Sequence, residues 1–148
     1  MIWFKDYNID MVREWMDGNN SLRHLGIELT ELGNDYLRGT MPVDYRTVQP
    51  FGILHGGASC MLAETLGSVA SGLIIDPDTK FAVGSHIAAN HIRRAEDGIV
   101  TGTARPVHTG RTKHVWDIDI RNEDDKIVAK CELTCVVHDV PEQILPKT

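Results

Sequence analysis

The sequence predicts an α+β fold in which one antiparallel sheet wraps around a single long central helix. Three observations carry that expectation. The stretch Gly56–Ile75 is apolar on most sides, as a helix buried in a core must be. Two later stretches, Arg111–Asn122 and Lys126–His138, alternate with a period of two. Only the connection that holds the long helix is long, so the other strands read as neighbours in hairpin order.

In chain order, Ile9–Met16 reads as a short amphipathic helix. Ile9, Val12 and Met16 recur at helical spacing with Trp15 beside them. Asp17-Gly18-Asn19-Asn20 ends it, and Ser21 is the expected cap of one further turn that stops at Gly26. Residues 1–25 thus form an N-terminal helical segment. Strands follow at Gly26–Leu32 and Asp35–Val43, joined by Gly33-Asn34. Asp44–Leu54 is a loop with Pro50 and Gly52. Asp76-Pro77-Asp78 breaks the long helix. Four strands then run Phe81–Arg93, Gly98–His108, Arg111–Asn122 and Lys126–His138. In the third, His114, Trp116, Ile118 and Ile120 share a face. In the fourth, Ile127, Ala129, Cys131, Leu133, Cys135 and Val137 do. Residues 139–148 read as an extended tail.

The 148 residues suit one domain spanning 1–148. A net charge of −6 argues against a nucleic-acid backbone as main partner. Three cysteines make no disulfide framework. Cys131 and Cys135 lie about 13 Å apart along a strand, too far to bridge. Reduced thiols fit a cytoplasmic protein. Met1-Ile2-Trp3-Phe4-Lys5-Asp6 does not read as a signal peptide, and no apolar run reads as membrane-spanning, so no membrane partner is expected. No metal set emerges. His86 and His91 face opposite sides of a strand, and His108 and His114 lack a third ligand.

The chemistry concentrates around the start of the long helix. Glu64 is the one charged residue between His55 and Asp76. A carboxylate in so apolar a helix is costly unless it is paired or poised for work. The bland alternative is that it points outward or meets a distant arginine. His55-Gly56-Gly57 sits where the helix begins, and its free amides can polarise a carbonyl and hold an oxyanion. Two glycines there also serve simple sterics. Gln49 could orient a water, and His55 could either bond a carbonyl or cap the loop. Arg93, Arg94, Arg105, Arg111 and Lys113 form a basic group in an acidic chain. That group suits a phosphate-rich ligand, or is a solvated strand end.

The motif Gln49-Pro50-Phe51-Gly52, His55-Gly56-Gly57-Ala58-Ser59, Leu62-Ala63-Glu64 and Gly67-Ser68 resembles the hotdog-fold acyl-CoA thioesterases. The branch is that of the phenylacetate-pathway, enterobactin-proofreading and 1,4-dihydroxy-2-naphthoyl-CoA enzymes. The resemblance extends to Met1-Ile2-Trp3, His24-Leu25-Gly26-Ile27, Met41-Pro42-Val43-Asp44, Asn90-His91 and Pro106-Val107-His108. It implies a hotdog fold and hydrolysis of acyl-CoA thioesters, with an aromatic acyl group, and of carrier-protein thioesters as a further substrate form. Glu64 would be the catalytic nucleophile or general base. The Gly56 amide would bind the thioester carbonyl, Gln49 and His55 would align it, and Ser68 would sit near the acyl group or the hydrolytic water. Coenzyme A, as part of the substrate, would be held by Gly84, by His91, Ile92, Arg93 and Arg94, and by the turn His108, Thr109, Gly110, Arg111, Thr112 and Lys113. No other cofactor is implied. The resemblance also implies a homodimer, usually paired into a tetramer, with Glu64 from one subunit and Gln49, His55 and Gly56 from the other. A non-catalytic acyl-CoA sensor and an enoyl-CoA hydratase of the same fold are the rival readings. His86 and Arg94 depart from the family pattern.

Overall fold

A computed structural model describes residues 1–141. The elements are α1 (Ile9–Met16), α2 (Ser21–Leu25), β1 (Glu28–Leu32), β2 (Leu37–Pro42), α3 (Gly56–Ile74), β3 (Lys80–His91), β4 (Ile99–Thr109), β5 (Lys113–Arg121) and β6 (Ile127–Asp139). Local chemistry sets the helix ends. Asn8 caps α1 by accepting from the Met11 amide at 3.0 Å. Asn20, rather than Ser21, caps α2, accepting from the Leu22 and Arg23 amides at 3.1 and 3.3 Å. Asn20 is extended and stands just outside the turn, the geometry a cap needs, whereas Ser21 is already helical. Gly26, at φ 68°, closes that turn. The expected tail falls mostly on residues 142–148, outside the described residues; Asp139 ends β6 and the Val140 amide donates to the Thr79 carbonyl at 2.9 Å.

All six strands join one antiparallel sheet in the order β1-β2-β4-β5-β6-β3. The hairpin order expected for the last four strands therefore holds only for β4, β5 and β6. β3 lies at the far edge beside β6, and β4 returns to pair with β2. Alternation marks a strand and its inward face, but not its neighbour. Here the helix that crosses the sheet decides the matter, because it delivers the chain to the opposite edge.

α3 packs against β2, β3, β4, β5 and β6. Leu62, Leu66 and Leu73 are buried between the layers with Trp116, Ile118, Ile120 and Leu133. The Trp116 indole donates to Ser71 Oγ at 2.7 Å, which satisfies both polar groups inside the core. By length and mean hydropathy (1.2 over an 18-residue window) α3 does qualify as a membrane-spanning candidate, contrary to expectation. Wrapping by the sheet accounts for that apolarity, since 61% of the window is buried inside the protein. The inward face of β6 also departs from strict alternation. Ile120 pairs with Ala129 but Arg121 pairs with Ile127, so Val128 is an extra, buried residue and Ile127 is only half-buried.

Candidate functional site

Two short segments meet at the N-terminus of α3. The loop before it is tied by Thr47, whose hydroxyl donates to the Pro42 carbonyl at 2.6 Å and whose carbonyl accepts from the His55 amide at 2.9 Å. The Leu54 amide donates to the Ala95 carbonyl at 2.8 Å, pinning this loop to the β3–β4 connection. On that connection, the carbonyl of the extra residue Val128 accepts from both the Ile92 and Arg93 amides, at 2.8 and 3.2 Å. A cleft of about 300 Å³ results, with Gln49, Gly56, Ser59, His91, Arg93 and Arg94 among its lining residues. Gly56 lets the His91 ring lie close to the helix start: a Cβ there would be 2.7 Å from His91 Nε2 and would push the imidazole aside.

His55 is the cap of α3. Its Nδ1 accepts from the Gly57 amide at 2.8 Å, so the ring proton belongs on Nε2, which stays free. Gln49 Oε1 accepts from the Phe51 amide, which fixes the side chain and leaves its amino group free to donate. Ser59 lines the cleft from the first turn of α3 and is 1% exposed. Sequence reasoning gave it no role, although a serine at that place in so apolar a helix was the available signal.

Glu64 stands elsewhere. It lies eight residues along α3 from Gly56, about 12 Å away. It is half-buried, and among the described residues no cation pairs with it. Its carboxylate rests on Gly84, where any Cβ would collide with Oε1. Ser68, one turn on, lies 4.0 Å from Cys135 Sγ. The thiols around this acid are poor nucleophiles. Burial and the Glu64 charge push Cys60 up, burial raises Cys135, and burial with the nearby Cys60 pushes Cys131 up to about 11. All three are unpaired.

The residues expected to hold coenzyme A divide between opposite ends of the sheet. His91, Ile92, Arg93 and Arg94 belong to the cleft at Gly56. His108, Thr109, Gly110, Arg111, Thr112 and Lys113 form the β4–β5 turn, closed by the Gly110 amide donating to the Lys113 carbonyl at 2.9 Å. Lys113 is level with Val136 and, beyond it, Val83, next to Gly84. Arg105 is absorbed by Asp35 and the Tyr36 ring. The basic group proximate in sequence is thus dispersed within one chain, because strands β4 and β5 carry its members about 26 Å apart. Among the described residues, Arg93, Arg94, Arg111 and Lys113 have no carboxylate partner.

Residues 51–129 match the family model of the Thioesterase superfamily. The chain is 44% identical over 137 residues to the proofreading thioesterase EntH of Cronobacter turicensis, covering 93% of this chain and 98% of that one. It is 42% identical over 137 residues to the 1,4-dihydroxy-2-naphthoyl-CoA hydrolase of Escherichia coli K12, covering 93% and 99%. A crystal structure of a Haemophilus influenzae thioesterase superposes with a TM-score of 0.91 at 43% identity, covering 97% of this chain and 99% of that one.

Proposed function

The chain belongs to the thioesterase superfamily and is a thioester hydrolase, and we propose that it hydrolyses aromatic acyl-CoA thioesters in the cytoplasm at a site shared between two copies. The observation that carries this reading is the split of the site along α3. Gly56 rests against His91 at one end of β3, and Glu64 rests against Gly84 near the other. A carbonyl held at the Gly56 amide is out of reach of Glu64 in the same chain. An antiparallel pairing of β3 with a second β3, centred on Ala88, brings Gly84 of one copy close to the His91 end of the other. The two-fold axis stands normal to the sheet, so both α3 helices lie on one face and Glu64 of one copy meets Gly56 of the other. The same operation sets the β4–β5 turn of one copy near Arg93 and Arg94 of its partner. Four free cations then surround one pocket, which suits the phosphates of coenzyme A.

In that site the Gly56 amide, at the positive end of α3, holds the thioester oxygen as charge develops on it. One such donor is worth roughly 3 kcal/mol. Gln49, through its free amino group, and His55, through Nε2, align the carbonyl. Glu64 attacks the acyl carbon or draws the proton from a water. Either route ends in a free acid and the coenzyme A thiol. The aromatic acyl preference comes from the naphthoyl-CoA hydrolase at 42% identity. Carrier-protein thioesters present the same reacting bond.

A free-thiol assay over benzoyl, hydroxybenzoyl, phenylacetyl, hydroxynaphthoyl and alkanoyl thioesters of coenzyme A tests the reading. Release should favour the aromatic members, and Glu64→Ala should lower turnover by about 10²–10⁴-fold with an unchanged melting temperature. Parent-like rates in that variant would remove Glu64 from the mechanism.

A further inference from the structure

Two turns beyond Glu64 along α3 lies a second cavity that the hydrolytic chemistry does not use. Ser68 and Gly72 follow Glu64 at one and two turns, drifting by about 80° around the helix. Gly72 opens into a cavity of about 240 Å³ whose walls include Trp15, Met11, Val12, Tyr7 and Pro77. The Trp15 indole is one of its walls. A Cβ on Gly72 would lie 2.9 Å from Trp15 Cη2, so the ring sits directly on the helix backbone. Yet Trp15 is 58% exposed and Met11 43% exposed, unusual for large apolar side chains on the apolar side of a short helix. No carboxylate lines the cavity, and its one cation, Lys5, is held over the Tyr7 ring at 5.2 Å. The room is too small for a whole cofactor and suits the end of an apolar chain or ring.

We propose that this cavity receives the distal end of the acyl group and that Trp15 sets the longest acyl group the enzyme accepts. The proposal rests on Glu64 as the reacting carboxylate. An acyl group bonded at Glu64 and laid along α3 meets Trp15 after about 12 Å. That span holds a bicyclic aromatic or a medium alkanoyl chain. Trp15 touches neither the reacting bond nor coenzyme A. Its removal should therefore change which acyl groups fit while the chemistry continues.

The test is a comparison of kcat/KM for the full chain and Trp15→Ala over alkanoyl-CoA thioesters from two to sixteen carbons, with benzoyl and hydroxynaphthoyl members. Trp15→Ala should gain about tenfold on groups longer than the parent's optimum and stay within about twofold on acetyl and benzoyl. Gly72→Ala should act oppositely, pushing the indole and shortening the optimum, and Trp15→Phe should fall between. Melting temperature and sedimentation are read alongside. An unchanged length profile, or equal loss on every thioester, overturns the proposal. A change of oligomeric mass in Trp15→Ala also overturns it, since the cavity would then seat a second copy. A parent that releases no thiol from any member would sink the hydrolase reading itself, whereas an active parent with an indifferent Trp15→Ala sinks this inference alone.

Discussion

The two edges of the sheet are built on opposite plans. β1 is short and bulged between Leu29 and Glu31, and it carries Glu28 and Glu31. α1 lies against it, and Arg13 Nε donates to the Leu29 carbonyl at 2.7 Å. β3 runs twelve residues, and from Phe81 to Asn90 it contains no Asp, Glu, Lys or Arg. None of its residues is buried, and Phe81 and Val83 are 42% and 44% exposed. Isolated sheets blunt an edge with charge, bulges or a covering helix. The β1 edge has all three protections, while β3 has one bulge, near Ser85, and no cover. One edge is thus finished within the chain, and the other is left bare, which is the edge the proposed pairing uses.

The largest effect should come from placing a charge at the centre of the bare edge. Ala88→Glu sets two carboxylates close to the proposed two-fold axis, and each loses water on pairing. Self-association should weaken at least about a hundredfold, near 3 kcal/mol, and turnover should fall with it while circular dichroism stays that of the parent. Sedimentation velocity checks it. An Ala88→Glu protein that keeps its mass and its activity would end the shared-edge reading.

A middle-sized effect is expected between the edges. His114 on β5 is 1% exposed, and its Nδ1 has no partner among the described residues. Burial pushes its pKa below the usual value, the nearby His108 adds to that, and a hydrogen bond to Gly110 opposes it. The unfolded chain then binds a proton that the folded chain refuses. Its stability contribution is complete above pH 6.5 and is lost as pH falls below that value toward the depressed folded pKa. Each unit of depression is worth about 1.4 kcal/mol. Melting temperature measured from pH 7.5 to 5 should fall, and His114→Asn should flatten part of the slope. An equal slope in the variant would assign the loss to other groups.

The smallest effect belongs to the finished edge. Arg38 pairs with Glu31 across β1 and β2, and both side chains are over a third exposed. Glu31→Gln should cost about 0–1 kcal/mol in urea unfolding and leave oligomeric mass and turnover alone. A change of mass would show that the β1 edge also meets a partner.

Much of this was legible in the residues. Periodicity located α1, β5 and β6, because burial on one face writes a period of two or 3.6 into the chain; an apolar run located α3, and cap and turn residues bounded the rest. Glu64 stood out because ionised groups are rare in apolar helices. Three things were not legible. The place of β3 beside β6 depended on where α3 delivered the chain. The role of Val128 depended on a bulge that alternation cannot show. The separation of Arg93 and Arg94 from Arg111 and Lys113 depended on strand length and direction.

By itself the sequence determined the inventory: one buried helix, six strands, a lone acid, a glycine-flanked helix start and a thioesterase motif. These follow from local preference and from which side chains water rejects, both carried by neighbouring residues. Only the tertiary structure decided that Glu64 and Gly56 address opposite ends of β3, and that one sheet edge is closed while the other is open. Such facts depend on strand order and on distances through space, which arise when α3 packs across the sheet and have no counterpart in residue spacing.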